Sequence, residues 1–175
     1  MIHADIYERA VSIRLVIFDV DGVLTDGGLF IGEHGQEYKI FHSRDGHGMK
    51  MLQQCGVEIA VISGRDTPAV AQRMSSLGIV HVYQGQQDKL PAFRELSRER
   101  SLSADQIAYV GDDVVDLPVM SRVGLAVAVA DAHARVIRQA HWVTSNPGGR
   151  GAAREVCDLI MEAQGHLDDP PRESR

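Results

Sequence analysis

Short, mostly apolar runs separated by segments of helical period constrain this chain more than any other feature. Ile13–Phe18 (IRLVIF), Glu58–Ile62 (EIAVI), Val80–Tyr83 (VHVY), Ile107–Val110 (IAYV), Leu125–Val129 (LAVAV) and Trp142–Thr144 read as strands. Several are continuous in apolar character instead of alternating, as strands buried on both faces require. Between them the punctuation is helical. One helix runs from about Gly46 to Gln54 and stops at Gly56, and another runs from about Pro68 to Leu77 and stops at Gly78. A third follows Asp88 with Pro91 in its first turn, Asp131 is placed to cap a fourth, and Gly151 to about Gln164 forms the last. Strand–helix alternation with short connections predicts an α/β fold, an open parallel sheet with helices on both faces.

One stretch breaks the rhythm. Gly27–Phe41 (GGLFIGEHGQEYKIF) places two extended runs around a glycine-flanked polar turn and reads as a β-hairpin. The tail from Asp168 (DDPPRESR) is polar and proline-bearing, so it is expected to fray. With 175 residues, no internal repeat and no composition break, one domain over 1–175 is expected. The net charge of −6 and the lack of a basic run argue against nucleic acid as a partner. No apolar stretch is long enough to span a membrane, and Met1–Ala10 lacks the layout of a signal peptide, which predicts a cytoplasmic protein. Cys55 and Cys157 have no metal or redox spacing and read as buried thiols. The eight histidines show no HxH or HExxH spacing, which argues against zinc.

The chemistry-bearing residues fall where strands end. Asp19 and Asp21, in DVDGVLTD, follow the first strand, and ligands of such sheets gather at carboxyl ends. Two carboxylates at i and i+2 can face one crevice, with Mg2+ offsetting their repulsion; a plain polar turn before Gly22 is the competing account. Asp112, Asp113 and Asp116, in GDDVVD, follow another strand. An acidic cap on the next helix explains one of these acids better than all three. Ser63 and Gly64 (ISGR) offer a hydroxyl and an amide to a phosphate at a helix start, or form an ordinary turn. Lys89 (QDKLPAF) is a candidate phosphate-neutralising cation or a solvated surface residue. Together they supply a nucleophilic carboxylate, an acid–base carboxylate, a hydroxyl, an ammonium and metal-binding acids. That is the inventory of phosphoryl transfer.

In this order, DVDGVLT, ISGR, Lys89 and GDDVVD resemble the four motifs of the haloacid dehalogenase-like superfamily, over Ile13 to about Gln164. The segments RDGHGMK, YQGQQDK, YVGDDVVDLPVM, AVADAH and GGRGAAREVCDLI are similar to its phosphatases of eight-carbon sugar-acid phosphates. The resemblance implies a Rossmann-like sheet, Asp19 as nucleophile and Asp21 as general acid that then activates water. It implies Mg2+ held by Asp19, the Asp21 carbonyl and Asp112, with Asp113 and Asp116 in support, and phosphate held by Ser63 and Lys89. Thr25, Arg44, His47, Gly64, Arg65, Gln84 and Arg150 are its implied substrate neighbours.

The intervals from Asp19 to Ser63 and from Ser63 to Lys89 are filled by the hairpin, helices and a strand, with no room for an inserted cap domain. The implied partner is a small phosphorylated sugar acid, and the site is expected to be walled by other subunits of a homotetramer. The hairpin is expected to stack on its counterparts, and Arg150, on a glycine-rich segment expected to be mobile, to reach an adjacent subunit's substrate. Three alternatives stay open: a phosphatase of nine-carbon sugar-acid phosphates, a receiver-like phospho-aspartate module, and a regulatory module on the same fold. Receivers place an acidic pair early and the phosphorylated aspartate later, unlike the order seen here.

Overall fold

The computed structural model describes residues 2–167, so the tail expected to fray from Asp168 lies outside the described residues. Six strands form one parallel sheet: β1 (Leu15–Phe18), β4 (Glu58–Ile62), β5 (His81–Tyr83), β6 (Ile107–Gly111), β7 (Leu125–Ala128) and β8 (Trp142–Val143). Their spatial order is β5-β4-β1-β6-β7-β8. Every residue of β1, β6 and β7 is buried, which is why these strands read as unbroken apolar runs. The remaining strands, β2 (Phe30–Ile31) and β3 (Glu37–Tyr38), pair antiparallel as the expected hairpin. Among the described residues there is no cap domain.

The helices are α1 (Ala4–Val11), α2 (Ser43–Gln54), α3 (Pro68–Ser76), α4 (Leu90–Glu99), α5 (Leu117–Met120), α6 (Ala134–Gln139) and α7 (Ala152–Ala163). Right-handed crossovers assign α2 and α3 to one face, and α4, α5 and α6 to the other. One apolar cluster reaches from Ile6 to Met161. Helix α1 is an addition to the sequence expectation, and α5 is the helix that follows the acidic cluster. The first buries Ile6 and Ala10, and the second is a single turn.

Three expectations are corrected. Helix α2 starts at Ser43, not near Gly46. Its glycines mark close approach and not a helix start: a Cβ on Gly46 would lie 2.3 Å from Arg73 Nη2, and one on Gly48 would lie 2.6 Å from Arg154 Cδ. Asp131 caps no helix, because α6 begins after His133, whose Nδ1 accepts from Arg135 N at 3.2 Å. The Asp131 carboxylate instead accepts from Gly148 N at 2.9 Å. Cys157 is buried, but Cys55 ends α2 and is only half-buried.

The topology positions the site. Strand β1 is central, with Phe18 level with Val61 of β4 and with Val110 of β6. The residues after these strands, Asp19, Ser63 and Asp112, therefore emerge along one edge. From β1 the chain builds outward through β4 and β5, then returns to start β6 on β1's other side. This reversal is the switch point where open α/β sheets form their crevice.

Candidate active site

Lys89 and three acids occupy the switch point. Lys89 is 3% exposed, and its ammonium lies 2.9 Å from Asp19 Oδ1, 2.7 Å from Asp116 Oδ1 and 3.2 Å from the Tyr109 hydroxyl. A buried lysine is costly unless paired, and here two carboxylates pair it. Asp116 is fully buried. Its Oδ1 accepts from Lys89 and from the Tyr109 hydroxyl (2.6 Å), and its Oδ2 from Asp112 N (3.0 Å) and Asp113 N (3.2 Å). Four donors fill a carboxylate's acceptor sites. Asp116 is therefore the anchor that fixes Lys89 and the start of the acidic loop.

Asp112 is different. Among the described residues no donor reaches its carboxylate, which faces Gly22 so closely that a Cβ there would be 2.1 Å from Oδ2. Burial and the charges of Asp19, Asp116 and Asp113 push its carboxyl up to about 8. Burial and Asp116 likewise raise Asp19 to about 6, against the pull of Lys89 and of Val20 N, 2.7 Å from Oδ1. Oxygens of Asp19, Asp112 and Asp116 all lie within 4.8 Å of one another. Hard oxygen donors, clustered and short of positive charge, fit a divalent cation. With Asp116 saturated, Asp19 and Asp112 are the side chains left to ligate it. Asp113 is exposed and caps the next turn through Val114 N at 2.7 Å, as the helix-cap account of this cluster supposed for one acid.

The remaining sequence candidates separate into groups. Ser63 is buried, and its hydroxyl accepts from Arg65 N at 3.4 Å. Gly64 and the exposed Arg65 follow it on the same turn. Thr25 is also buried, its hydroxyl accepting from Gly27 N at 3.2 Å and so tightening the acidic loop. The Gln84 side chain accepts from Thr67 N at 3.0 Å, at the start of α3. Arg44 and Arg150 share a cleft of about 220 Å3 with Arg154, while His47 is exposed on α2. Arg150 pairs with Asp26 of its own chain at 3.2 Å. Its glycine-rich segment, expected to be mobile, is packed: a Cβ on Gly148 would lie 1.7 Å from the Gly22 carbonyl oxygen.

Three participants escaped the sequence reading. Tyr109 carried a signal, since a hydroxyl within a buried strand must find a partner. Lys39 and Glu37 carried a weaker one. Lys39 is bonded to Asp21 and, at 3.0 Å, to Glu37, which also pairs with Arg65 at 2.7 Å.

A family profile of haloacid dehalogenase-like hydrolases matches residues 71–155. The 3-deoxy-D-manno-octulosonate 8-phosphate phosphatase of Escherichia coli K12 is 49% identical over 173 residues, covering 99% of this chain and 92% of its own. The chain belongs to the haloacid dehalogenase-like hydrolases. Within that family, a crystal structure of the phosphatase of this name from Yersinia pestis superposes with a TM-score of 0.95 at 49% identity, covering 96% of this chain and 91% of the other. The Moraxella catarrhalis phosphatase, solved with magnesium, phosphate and the sugar acid KDO, superposes with a TM-score of 0.92 at 38% identity, covering 95% and 96%. Among its described residues this haloacid dehalogenase-like hydrolase has no cap domain, and the hairpin occupies the interval between β1 and α2.

Proposed function

We propose that this protein hydrolyses 3-deoxy-D-manno-octulosonate 8-phosphate to KDO and phosphate, as a Mg2+-dependent step of lipopolysaccharide synthesis in the cytoplasm. The observation that carries the reading is the convergence of Asp19, Lys89, Ser63 and Asp112 at one sheet edge, in a chain matched nearly end to end by phosphatases of that name. In this reading one Asp19 oxygen attacks phosphorus as the ester bond to the sugar oxygen breaks. Asp21 gives its proton to that oxygen, which leaves as a hydroxyl. The Asp21 carboxylate then takes a proton from water, whose oxygen attacks the phosphorus and frees Asp19 and phosphate. Lys89, the Ser63 hydroxyl and the Gly64 amide hold phosphoryl oxygens. Asp19, the Asp21 carbonyl and Asp112 would hold magnesium, which when bound would supply positive charge against the transferring group.

Arg44, His47, Arg65 and Arg150 face the sugar acid, and Thr25 and Gln84 hold the loops around it. The chain works as one domain, and its site is completed by neighbours in a homotetramer. Phe30, Ile31 and Ile40 are 68%, 62% and 80% exposed on the hairpin, an apolar face that a second copy would cover. A screen of sugar phosphates tests the reading. KDO 8-phosphate should give the highest kcat/KM, and Asp19→Asn should abolish turnover without unfolding the protein. A preference for nine-carbon sugar-acid phosphates would overturn the substrate, and turnover by purified Asp19→Asn would overturn the chemistry.

A further inference from the structure

Lys39 is buried where a hairpin lysine would ordinarily be solvated. Its side chain is only 1% exposed, although it follows a two-residue strand on a protruding hairpin. Strand alternation explains how: Glu37 and Lys39 turn to one side, and Tyr38 and Ile40, 54% and 80% exposed, turn to the other. Over Glu37–Ile40 the hairpin thus inverts the usual pattern, turning Glu37 and Lys39 inward and Tyr38 and Ile40 outward. Lys39 bonds Asp21 Oδ1 and Glu37 Oε1, and Glu37 in turn holds both Arg65 Nη2 (2.7 Å) and Nε (3.2 Å). A chain of four alternating charges therefore runs from Asp21 through the hairpin to the turn that carries Ser63.

We propose that Lys39 is a positioning residue for Asp21, fixing the carboxyl group that handles the leaving-group proton, with Glu37 and Arg65 anchoring Lys39 in turn. The proposal rests on the phosphatase reading and on Asp21 as its acid. An unanchored Asp21, on a loop at the strand end, would sample several rotamers. Catalysis requires one in which its proton meets the departing oxygen. Lys89 cannot serve this purpose, because its ammonium is already shared among Asp19, Asp116 and Tyr109.

Leaving-group dependence separates positioning from binding or general stability. A p-nitrophenolate departs without a proton, whereas an alkoxide needs one. Wild type, Lys39→Met, Glu37→Gln, Asp21→Asn and the Lys39→Met/Asp21→Asn double variant should be compared on p-nitrophenyl phosphate, phenyl phosphate and an alkyl phosphate. Lys39→Met should lower the pre-steady-state rate of leaving-group release from the alkyl phosphate on the order of 100-fold, with little loss of that rate on p-nitrophenyl phosphate; the later water step, in which Asp21 is the base, is common to all three substrates and is slowed equally. Glu37→Gln, which keeps the lysine but loosens it, should shift the series the same way by less. Adding Lys39→Met to Asp21→Asn should cost nothing further. Equal losses of release rate across the series in both hairpin variants, or a full additional loss in the double variant, would overturn the proposal while leaving Asp21 in its role. If Asp21→Asn itself shows no leaving-group dependence, the acid assignment fails and the Lys39 proposal fails with it.

Discussion

At the residue scale the site is a balance of charges in which each group's role follows from how many partners it already has. Asp116 has four donors and none to spare, so its removal should be felt first as instability. Asp116→Ala would strip Lys89 of one counter-charge and leave the Tyr109 hydroxyl and two amides without an acceptor. A loss of about 3–5 kcal/mol is expected from denaturant unfolding, as for other broken buried ion pairs. Asp112 and Asp19 show the opposite condition, with too little positive charge nearby. Asp112, near 8 in the metal-free fold, keeps its proton at neutral pH, and Asp19, near 6, keeps its proton into the mildly acidic range, where the unfolded chain has already released both. Stability of the metal-free fold should therefore fall as pH rises from the ordinary carboxylate range through those values. A divalent cation replaces the protons, so Mg2+ should raise the melting temperature more at about pH 8.5 than at about pH 6. An equal gain at both would mean that these two acids are not its ligands.

At the element scale the loop after β1 is held from three sides. Thr25 tightens it from within, the Gly148–Gly149 segment lies across it, and Asp131 secures that segment through Gly148 N. Contact between Gly148 and the Gly22 carbonyl leaves no room for a side chain. Gly148→Ala should cost about 1–3 kcal/mol of stability by overpacking, and the shifted loop should also weaken Mg2+ binding. Calorimetric titration of the folded variant would check the second effect separately from the first. The same reasoning accounts for the glycines inside α2. They weaken the helix locally, but Arg73 and Arg154 cross there, and Asp45 accepts from Arg154 N at 2.9 Å to tie α2 to the start of α7.

At the scale of the whole molecule the hairpin joins two functions. Its inner side reaches the site through Lys39 and Glu37, and its outer side exposes Phe30 and Tyr38, whose rings meet edge-on at 5.7 Å. Phe41, grouped with these residues from sequence, instead packs on its own core with Arg73 over its ring. If the outer face is the subunit contact, Phe30→Ser with Ile40→Ser should shift the sedimenting species from tetramer toward monomer. Turnover should fall with it, because the site would lose its neighbouring wall. A double variant that remains tetrameric would move the interface elsewhere.

The α/β architecture was legible because strands buried on both faces admit few polar residues, so IAYV and LAVAV could serve as little else. Glu58–Ile62 matches β4 residue for residue, while the strand expected at Ile13–Phe18 shortens to Leu15–Phe18. The acids and Lys89 were legible as candidates because carboxylates gathered at strand ends are unfavourable without a cation. Their division of labour was not. Two of the four donors on Asp116 are amides of GDDVVD itself, but the charge and the hydroxyl that set the saturated Asp116 apart from the undersupplied Asp112 lie outside that motif. That difference depends on Tyr109 of β6, Gly22 after β1 and Lys89 at the start of α4, which only the tertiary packing brings together. Gly46 likewise looked like a helix boundary because propensity is local, whereas the need for its missing side chain comes from Arg73 on another helix. Lys39 is the clearest case. Sequence shows one lysine between apolar neighbours on a hairpin strand, and only tertiary structure turns it inward, where low dielectric makes its partner Asp21 matter.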